Sequence, residues 1–146
     1  MGANTGYTGG MRPSVEVIEH PGEVRLRLRA SSLGELASTA GLALAELELG
    51  RTPGPAEGSW RPIVVQGRDG AAVLVHWLNE LIYLAEADRW VASEFAVEAA
   101  AETELRMRAR GVAVEEAPSR VKAATFHGLR IEPAADGLEA DIVLDV

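Results

Sequence analysis

The C-terminal part of the chain alternates between apolar and mostly acidic residues, and this pattern constrains the fold more than any other feature. Every second residue from Leu138 to Val146 is apolar, and three of the four residues between them are acidic. Successive side chains of a β-strand point to opposite faces, so the pattern predicts a strand with one buried face. A second strand-like run begins at Val121, and the sequence EPAADG separates the two as a turn. We therefore expect this C-terminal segment to form a hairpin within a sheet.

A second hairpin, or a pair of neighbouring strands, is predicted near the N-terminus. Val15 to Glu19 has the apolar density of a short strand, and the following sequence HPGE, from His20 to Glu23, is typical of a turn. From Val24 to Ala30, apolar residues alternate with three arginines. This is the clearest strand pattern in the chain.

Two helices are predicted after this hairpin. Ser32 and Glu35 form an S-x-x-E capping box, apolar residues then recur at helical spacing, and Gly50 marks the end of the helix. A second helix is predicted from about Ala71 to Ala85. His76 lies off its apolar stripe, and we interpret it as a solvated surface histidine.

The remaining segments complete an α+β pattern. A Pro- and Gly-rich loop is expected over residues 51–59, and a short strand or connector over Ile63 to Val65. Residues 94–110 return to period two with charges of opposite sign, which predicts an antiparallel hairpin, and a polar loop is expected over residues 111–120. Strands, then two helices, then strands indicate an α+β fold with a mostly antiparallel sheet.

Composition narrows the functional classes. We expect residues 1–13 to be a disordered segment and residues 14–146 to form a single domain. The chain has no cysteine, which excludes disulfides, zinc–thiolate sites and thiol catalysis. It has no apolar run of membrane-spanning length and no signal-peptide pattern, so a cytoplasmic location is expected. The net charge of −8 argues against direct nucleic-acid binding and favours a basic partner or a metal ion.

Three carboxylates are the candidates for a metal site. The chain lacks the motifs of serine hydrolases, P-loop proteins, dinucleotide-binding folds and zinc proteases. Glu23 lies at the first turn, and Asp145 lies beside the α-carboxylate of Val146. If these groups meet in space, they repel unless a cation neutralises them, and oxygen ligands favour Ca²⁺, Mg²⁺ or Mn²⁺. The alternative interpretation is three solvated surface acids.

His127 and Lys122 form a second group of candidates. His127 precedes a glycine at an expected strand bend, and Lys122 lies on the opposite face in the register of Phe126. One interpretation of His127 is a half-buried side chain bonded to a backbone carbonyl. Another is an acid/base in a small metal-dependent hydrolase, for which a second positioned histidine or a nucleophile is missing.

Three blocks of sequence resemble the archease family. They span about residues 15–146, and the blocks WLNEL and KAATFHGL are specific in combination. The blocks are the histidine-led turn and capped helix from His20 to Leu44, the sequence WLNELIYL at residues 77–84 followed by SEF at 93–95, and VKAATFHGL at 121–129 followed by the ending IVLDV.

The resemblance implies a function and a set of site residues. Archeases are non-enzymatic, cytoplasmic α+β proteins that activate RtcB-type RNA ligases, which depend on GTP and Mn²⁺. They promote guanylylation and multiple turnover of the ligase in tRNA splicing or RNA repair. The family's metal-binding cluster corresponds here to Glu23, Asp145 and Val146, where the usual turn H-T-A-D is replaced by HPGE. His20, Lys122 and His127 are further functional candidates, and a chaperone-like modulator of other protein partners is the alternative function.

Overall fold

Two antiparallel sheets and two helices form the part of the protein that the structure describes, residues 12–146 of a computed structural model. The predicted α+β class with a mostly antiparallel sheet is confirmed. The expected disordered segment, residues 1–13, falls mostly outside the described residues. In chain order the elements are β1 (Ser14–His20), β2 (Glu23–Ala30), α1 (Leu33–Leu49), β3 (Glu57–Gln66), α2 (Gly70–Asp88), β4 (Trp90–Ala101), β5 (Glu104–Ala113), β6 (Ala123–Ala134) and β7 (Gly137–Asp145).

The larger sheet joins the two ends of the described chain. Its strand order is β1-β2-β7-β6, and the second sheet has the order β3-β5-β4. The central pair, β2 and β7, runs antiparallel from Glu23 opposite Asp145 to Ala30 opposite Leu138. The three predicted hairpins are confirmed as β1–β2, β4–β5 and β6–β7.

The core fills the space between the helices and the inner faces of the sheets. As the alternation predicts, the inward-facing side chains of the two central strands are fully buried. They include Leu26 and Leu28 of β2 and Ile142 and Leu144 of β7, each 0% exposed. Trp77 of α2 is the largest of the fully buried side chains. Its indole Nε1–H donates to the carbonyl of Ala37 in α1 at 2.8 Å, which fixes the two helices against each other.

Both helices begin at a side-chain cap. The Ser32 hydroxyl accepts from the Glu35 amide at 3.2 Å, as the predicted capping box requires. The Glu35 carboxylate accepts from the amide of Ser31 instead of that of Ser32, so the second bond of the box is displaced by one residue. Gly50 ends α1 in the left-handed conformation, with φ of 71°. Asp69 caps α2, which extends beyond the predicted bounds at both ends. Within residues 12–146 no helix has both the length and the apolar character that crossing a membrane requires.

The predicted bounds of two loops were partly wrong, because Pro, Gly and polar residues suggested loops where the structure has strands. β3 is a ten-residue strand that includes the last part of the expected 51–59 loop. Pro62 does not break it, because β3 is an edge strand that pairs only with β5 in the described part of the chain. β5 continues to Ala113, past the expected start of the polar loop at Gly111. Gly111 is buried, and a side chain there would collide with the backbone of Val91 in β4.

Glu48 near the end of α1 is a half-buried acid whose protonation is coupled to folding. Its neighbours Ala45 and Leu49 belong to a small apolar cluster with Val91 of β4. Burial raises the pKa of Glu48 to about 8. A raised pKa stabilises the folded state relative to the unfolded state while the group is protonated. This contribution is complete below the unfolded pKa of 4.5 and is lost as pH rises towards 8.

Replacing Glu48 by glutamine is therefore expected to remove a pH-dependent loss of stability. The free energy of unfolding, measured by urea denaturation, should fall between pH 5 and 8 in the parent protein and stay nearly level in Glu48→Gln. At about 1.4 kcal/mol per pKa unit, the variant should be more stable at pH 8 by on the order of 3 kcal/mol. Glu46→Gln, at an exposed position of the same helix, serves as the control. Parallel pH curves for Glu48→Gln and the parent protein would contradict this assignment.

Candidate functional site

The larger sheet places several of the predicted site residues in one row. Glu23 is the register partner of Asp145 on one side and of His20 on the other. Asp145 in turn pairs with Ala123 of β6. Directly opposed residues in antiparallel strands point to the same face of the sheet. His20, Glu23 and Asp145 therefore share the outer face, at the end of the sheet where β2 begins and β7 ends.

The third predicted residue, Val146, joins the same corner through the backbone. Its amide donates to the carbonyl of Gly22 at 3.1 Å, directly before Glu23 in sequence. We call Glu23, Asp145 and Val146 the acidic corner. The side chain of Asp145 is exposed and that of Glu23 is partly buried, so a molecule in solution can reach both.

The turn before Glu23 is built from the sequence that departs from the family pattern. Pro21 and Gly22 are the only residues between β1 and β2. Gly22 has φ of 79°, a left-handed conformation that glycine adopts without strain. This tight turn makes Glu23 the first residue of β2 and sets it opposite His20, while the pairing of β2 with β7 sets it opposite Asp145.

The donor set of the acidic corner suits a hard cation. No three His, Asp or Glu side chains between residues 12 and 146 are grouped so that they could hold a metal ion. The corner instead offers two side-chain carboxylates, from Glu23 and Asp145, with the carboxyl group of Val146 as the third predicted ligand. Side chains in directly opposed positions have Cβ atoms about 5 Å apart, and like charges at that separation destabilise a sheet. An oxygen-binding cation would remove this repulsion.

Lys122 borders the corner, whereas His127 lies in an irregular part of β6. The amide of Lys122 donates to the Asp145 carbonyl at 2.8 Å, and its side chain is exposed. Regular pairing of β6 with β7 stops after Thr125 and resumes at Arg130. His127 lies inside this interruption and is exposed. The predicted half-burial of its side chain was therefore wrong, because the strand departs from the sheet at this point.

His76 is exposed, as predicted, and it has two close neighbours. Its ring nitrogen Nδ1 lies 2.6 Å from the carbonyl oxygen of Gln66. Its ring also meets that of Phe126 edge to face, with 5.9 Å between the ring centroids. Phe126 is itself 54% exposed. The surface between α2 and β6 thus carries an aromatic contact that the helical pattern did not indicate.

Asn79 is a residue whose role the periodicity of α2 did not reveal. Its side-chain amide donates to the carbonyl of Ala124 at 3.0 Å, and its oxygen accepts from the Ala124 amide at 2.8 Å. Ala124 follows Ala123, the β6 residue paired with Asp145. A polar residue beside the buried stripe, in the block WLNEL, is the signal that could have identified it.

Ion pairs cover the outer face of the sheet beyond the acidic corner. Asp141 of β7 is only 6% exposed, and it accepts hydrogen bonds from Arg27 at 3.2 Å and from Arg130 at 3.1 Å. Burial raises the pKa of Asp141, but the hydrogen bonds from Arg130 and Arg27 outweigh this effect and hold the pKa below its ordinary value. Two arginines of β2, Arg27 and Arg29, therefore pair with acids of β7, Asp141 and Glu139.

Comparison with known proteins identifies the family. The model of the archease protein family (MTH1598/TM1083) matches residues 16–146. The chain belongs to the archease family. A protein archease of Methanosarcina acetivorans is 30% identical over 141 residues, which cover 90% of this chain and 94% of that protein. A protein archease of Archaeoglobus fulgidus is 27% identical over 133 residues, or 88% of this chain and 96% of that protein.

Solved structures show the same archease fold. The solution structure of protein 1598 from Methanobacterium thermoautotrophicum matches with a TM-score of 0.69 and 24% identity, covering 90% of this chain and 98% of that one. The crystal structure of an archease from Thermotoga maritima, named as a possible chaperone, matches with a TM-score of 0.59 and 20% identity. It covers 93% of this chain and 98% of that one. Both likenesses concern the fold.

Removing the buried carboxylate of Asp141 is expected to destabilise the archease fold in a pH-dependent way. A depressed pKa contributes stability above the unfolded pKa of 3.8, and this contribution is lost as pH falls through the folded pKa. Asp141→Asn should therefore lower the free energy of unfolding by about 1–3 kcal/mol at pH 7 and by less at pH 3. Chemical denaturation at the two pH values measures both effects.

A control for this prediction lies two residues away on the same face. Glu139 pairs with Arg29 at 3.5 Å, and its side chain is 34% exposed. Because exposed ion pairs contribute little, Glu139→Gln should change the free energy of unfolding by less than about 1 kcal/mol. Equal effects of the two substitutions at pH 7 would contradict the special role of Asp141.

Proposed function

We propose that this archease is a non-enzymatic protein cofactor that activates an RtcB-type RNA ligase. It would promote guanylylation and multiple turnover of the ligase in tRNA splicing or RNA repair. The observation that supports this proposal most strongly is the register of β2 and β7, which sets Glu23 opposite Asp145. These two positions are more than 120 residues apart in the sequence. They are also two of the three positions that the family resemblance links to metal binding.

The acidic corner is proposed to hold one divalent cation. Glu23, Asp145 and the carboxyl group of Val146 would be its protein ligands, and an all-oxygen set suits Ca²⁺, Mg²⁺ or Mn²⁺. When bound, such a cation neutralises the carboxylates and supplies an electrophilic centre that attracts phosphate oxygens. We expect His20, the register partner of Glu23 on the same face, to contact ligands of the site.

The proposed partner is the ligase itself, which archease would bind in the cytoplasm. Archease is not expected to bind RNA directly. The net charge of −8 disfavours contact with the phosphate backbone of RNA. The acidic corner lies at an end of the sheet, where Asp145 is exposed and Glu23 and Val146 are partly exposed, so a protein partner can approach it without unfolding any element. Lys122, exposed beside Asp145, and the exposed His127 of β6 are the further residues that we expect to contact the partner.

Substitution of Asp145 provides the main test of this function. Asp145→Ala should abolish stimulation of ligase guanylylation, measured with radiolabelled GTP and purified ligase. Because the side chain is exposed, the free energy of unfolding should change by no more than about 0.5 kcal/mol. Asp136→Ala removes an exposed acid from the turn at the other end of β7 and should leave stimulation intact. Full stimulation by Asp145→Ala would contradict the proposed site.

The unusual turn yields a second, independent prediction. Glu23 is one methylene longer than the aspartate of the usual H-T-A-D turn. Glu23→Asp should therefore retain or increase stimulation of the ligase, whereas Glu23→Ala should remove it. The same guanylylation assay, run with the two variants at equal concentration, measures the difference. Equal activity of Glu23→Ala and the parent protein would exclude Glu23 from the site.

A chaperone-like modulator of other protein partners is the second candidate, favoured by one surface feature. An open groove of about 840 Å³ lies between β1, α1 and β4. It is lined by Val15, Leu42 and Val97, whose exposed fractions are 38%, 41% and 45%. The relative from Thermotoga maritima is named as a possible chaperone. If this function holds, Leu42→Ser should weaken suppression of client aggregation, and Asp145→Ala should not.

A further inference from the structure

The side chain of Asn79 forms two hydrogen bonds with the edge of β6, as the backbone of a neighbouring strand would. Among residues 12–146, β6 is an edge strand of the larger sheet and pairs only with β7. On its other side, the Asn79 amide donates to the carbonyl of Ala124 and accepts from the amide of the same residue. A primary amide carries one carbonyl and two N–H groups, so it can bond to both polar groups of one residue as a strand neighbour does.

This pair of bonds lies one residue from the acidic corner. Ala123 is the register partner of Asp145, and Ala124 is the partner of Leu144. The amide of Lys122 donates to the Asp145 carbonyl at 2.8 Å. The backbone on both sides of Asp145 is therefore set by β2, through Glu23, and by the start of β6. Asn79 fixes that start of β6 from outside the sheet.

The bonds matter because the rest of β6 supports this segment poorly. Regular pairing with β7 lapses between Thr125 and Arg130, so residues 123–125 form a short paired stretch isolated from the remainder of the strand. Short paired stretches at a sheet edge open locally more easily than central strands. The helix that carries Asn79 is firmly held, because Trp77 donates to Ala37 of α1. The side chain of Asn79 thus holds the start of β6 against the two helices.

We propose that Asn79 is a positioning residue of the acidic corner, which it holds in a cation-binding geometry through β6. The inference rests on the proposed function, since it assigns a role towards the same site. Asn79 does not touch Asp145 itself. It acts through Ala124, Ala123 and the bonds that these residues and Lys122 make with β7.

The test compares Asn79→Ala with a variant of similar stability loss in the other sheet. Ile63 is a buried residue of β3 in the other sheet, and Ile63→Val removes one methylene there. Binding of Mn²⁺ alone is measured by isothermal titration calorimetry, and amide hydrogen exchange is measured without metal. Asn79→Ala should weaken Mn²⁺ binding at least about tenfold, and Ile63→Val should leave it within about twofold.

Hydrogen exchange supplies the readout that is independent of metal. In Asn79→Ala, the amides of Lys122 and Ala124 should exchange at least about tenfold faster than in Ile63→Val at matched global stability. Parent-like Mn²⁺ binding by Asn79→Ala, or equal weakening in both variants, would overturn the positioning role while leaving the acidic corner intact. Failure of the parent protein to bind Mn²⁺ would instead overturn the proposed metal site, and the positioning role with it.

Discussion

The pairing of β2 with β7 is the constraint on which the rest of the structure depends. It joins the beginning and the end of the described chain along eight opposed positions, from Glu23–Asp145 to Ala30–Leu138. Its inner side contributes fully buried leucines and isoleucine to the core. Because side chains alternate, the same register directs every charged residue of these strands to the outer face. A shift of one residue would bury the charges and separate the two carboxylates of the acidic corner.

The outer face of this sheet divides into two parts with different electrostatics. Along most of its length, arginines lie opposite acids, and Asp141 is neutralised by Arg27 and Arg130. At the corner the pattern changes, and Glu23 lies opposite another acid, Asp145. A charge pattern that is complementary along one part of the face and repulsive at its end is consistent with a cation site at that end. The helix layer adds support from the side through Asn79 and Ala124.

The sequence predicts this architecture where the signals are local and periodic. Alternation predicted the strands, the capping box predicted the start of α1, and HPGE predicted the turn that ends at Glu23. What it missed depends on contacts between distant elements. The burial of Asp141 requires two arginines from other strands, and the function of Asn79 requires the backbone of β6. A bend at Gly128 was expected, but the exposure of His127 depends on how far pairing with β7 is interrupted, from Thr125 to Arg130.

The central claim is that the acidic corner binds a divalent cation, and paramagnetic broadening by Mn²⁺ tests it most directly. In ¹⁵N-labelled protein, substoichiometric Mn²⁺ should first remove the amide signals of Glu23, Lys122, Asp145 and Val146, because they surround the corner. The signal of Asp136, in the turn at the other end of β7, should persist. Uniform loss of signals, or first loss at acids elsewhere on the surface, would contradict the account.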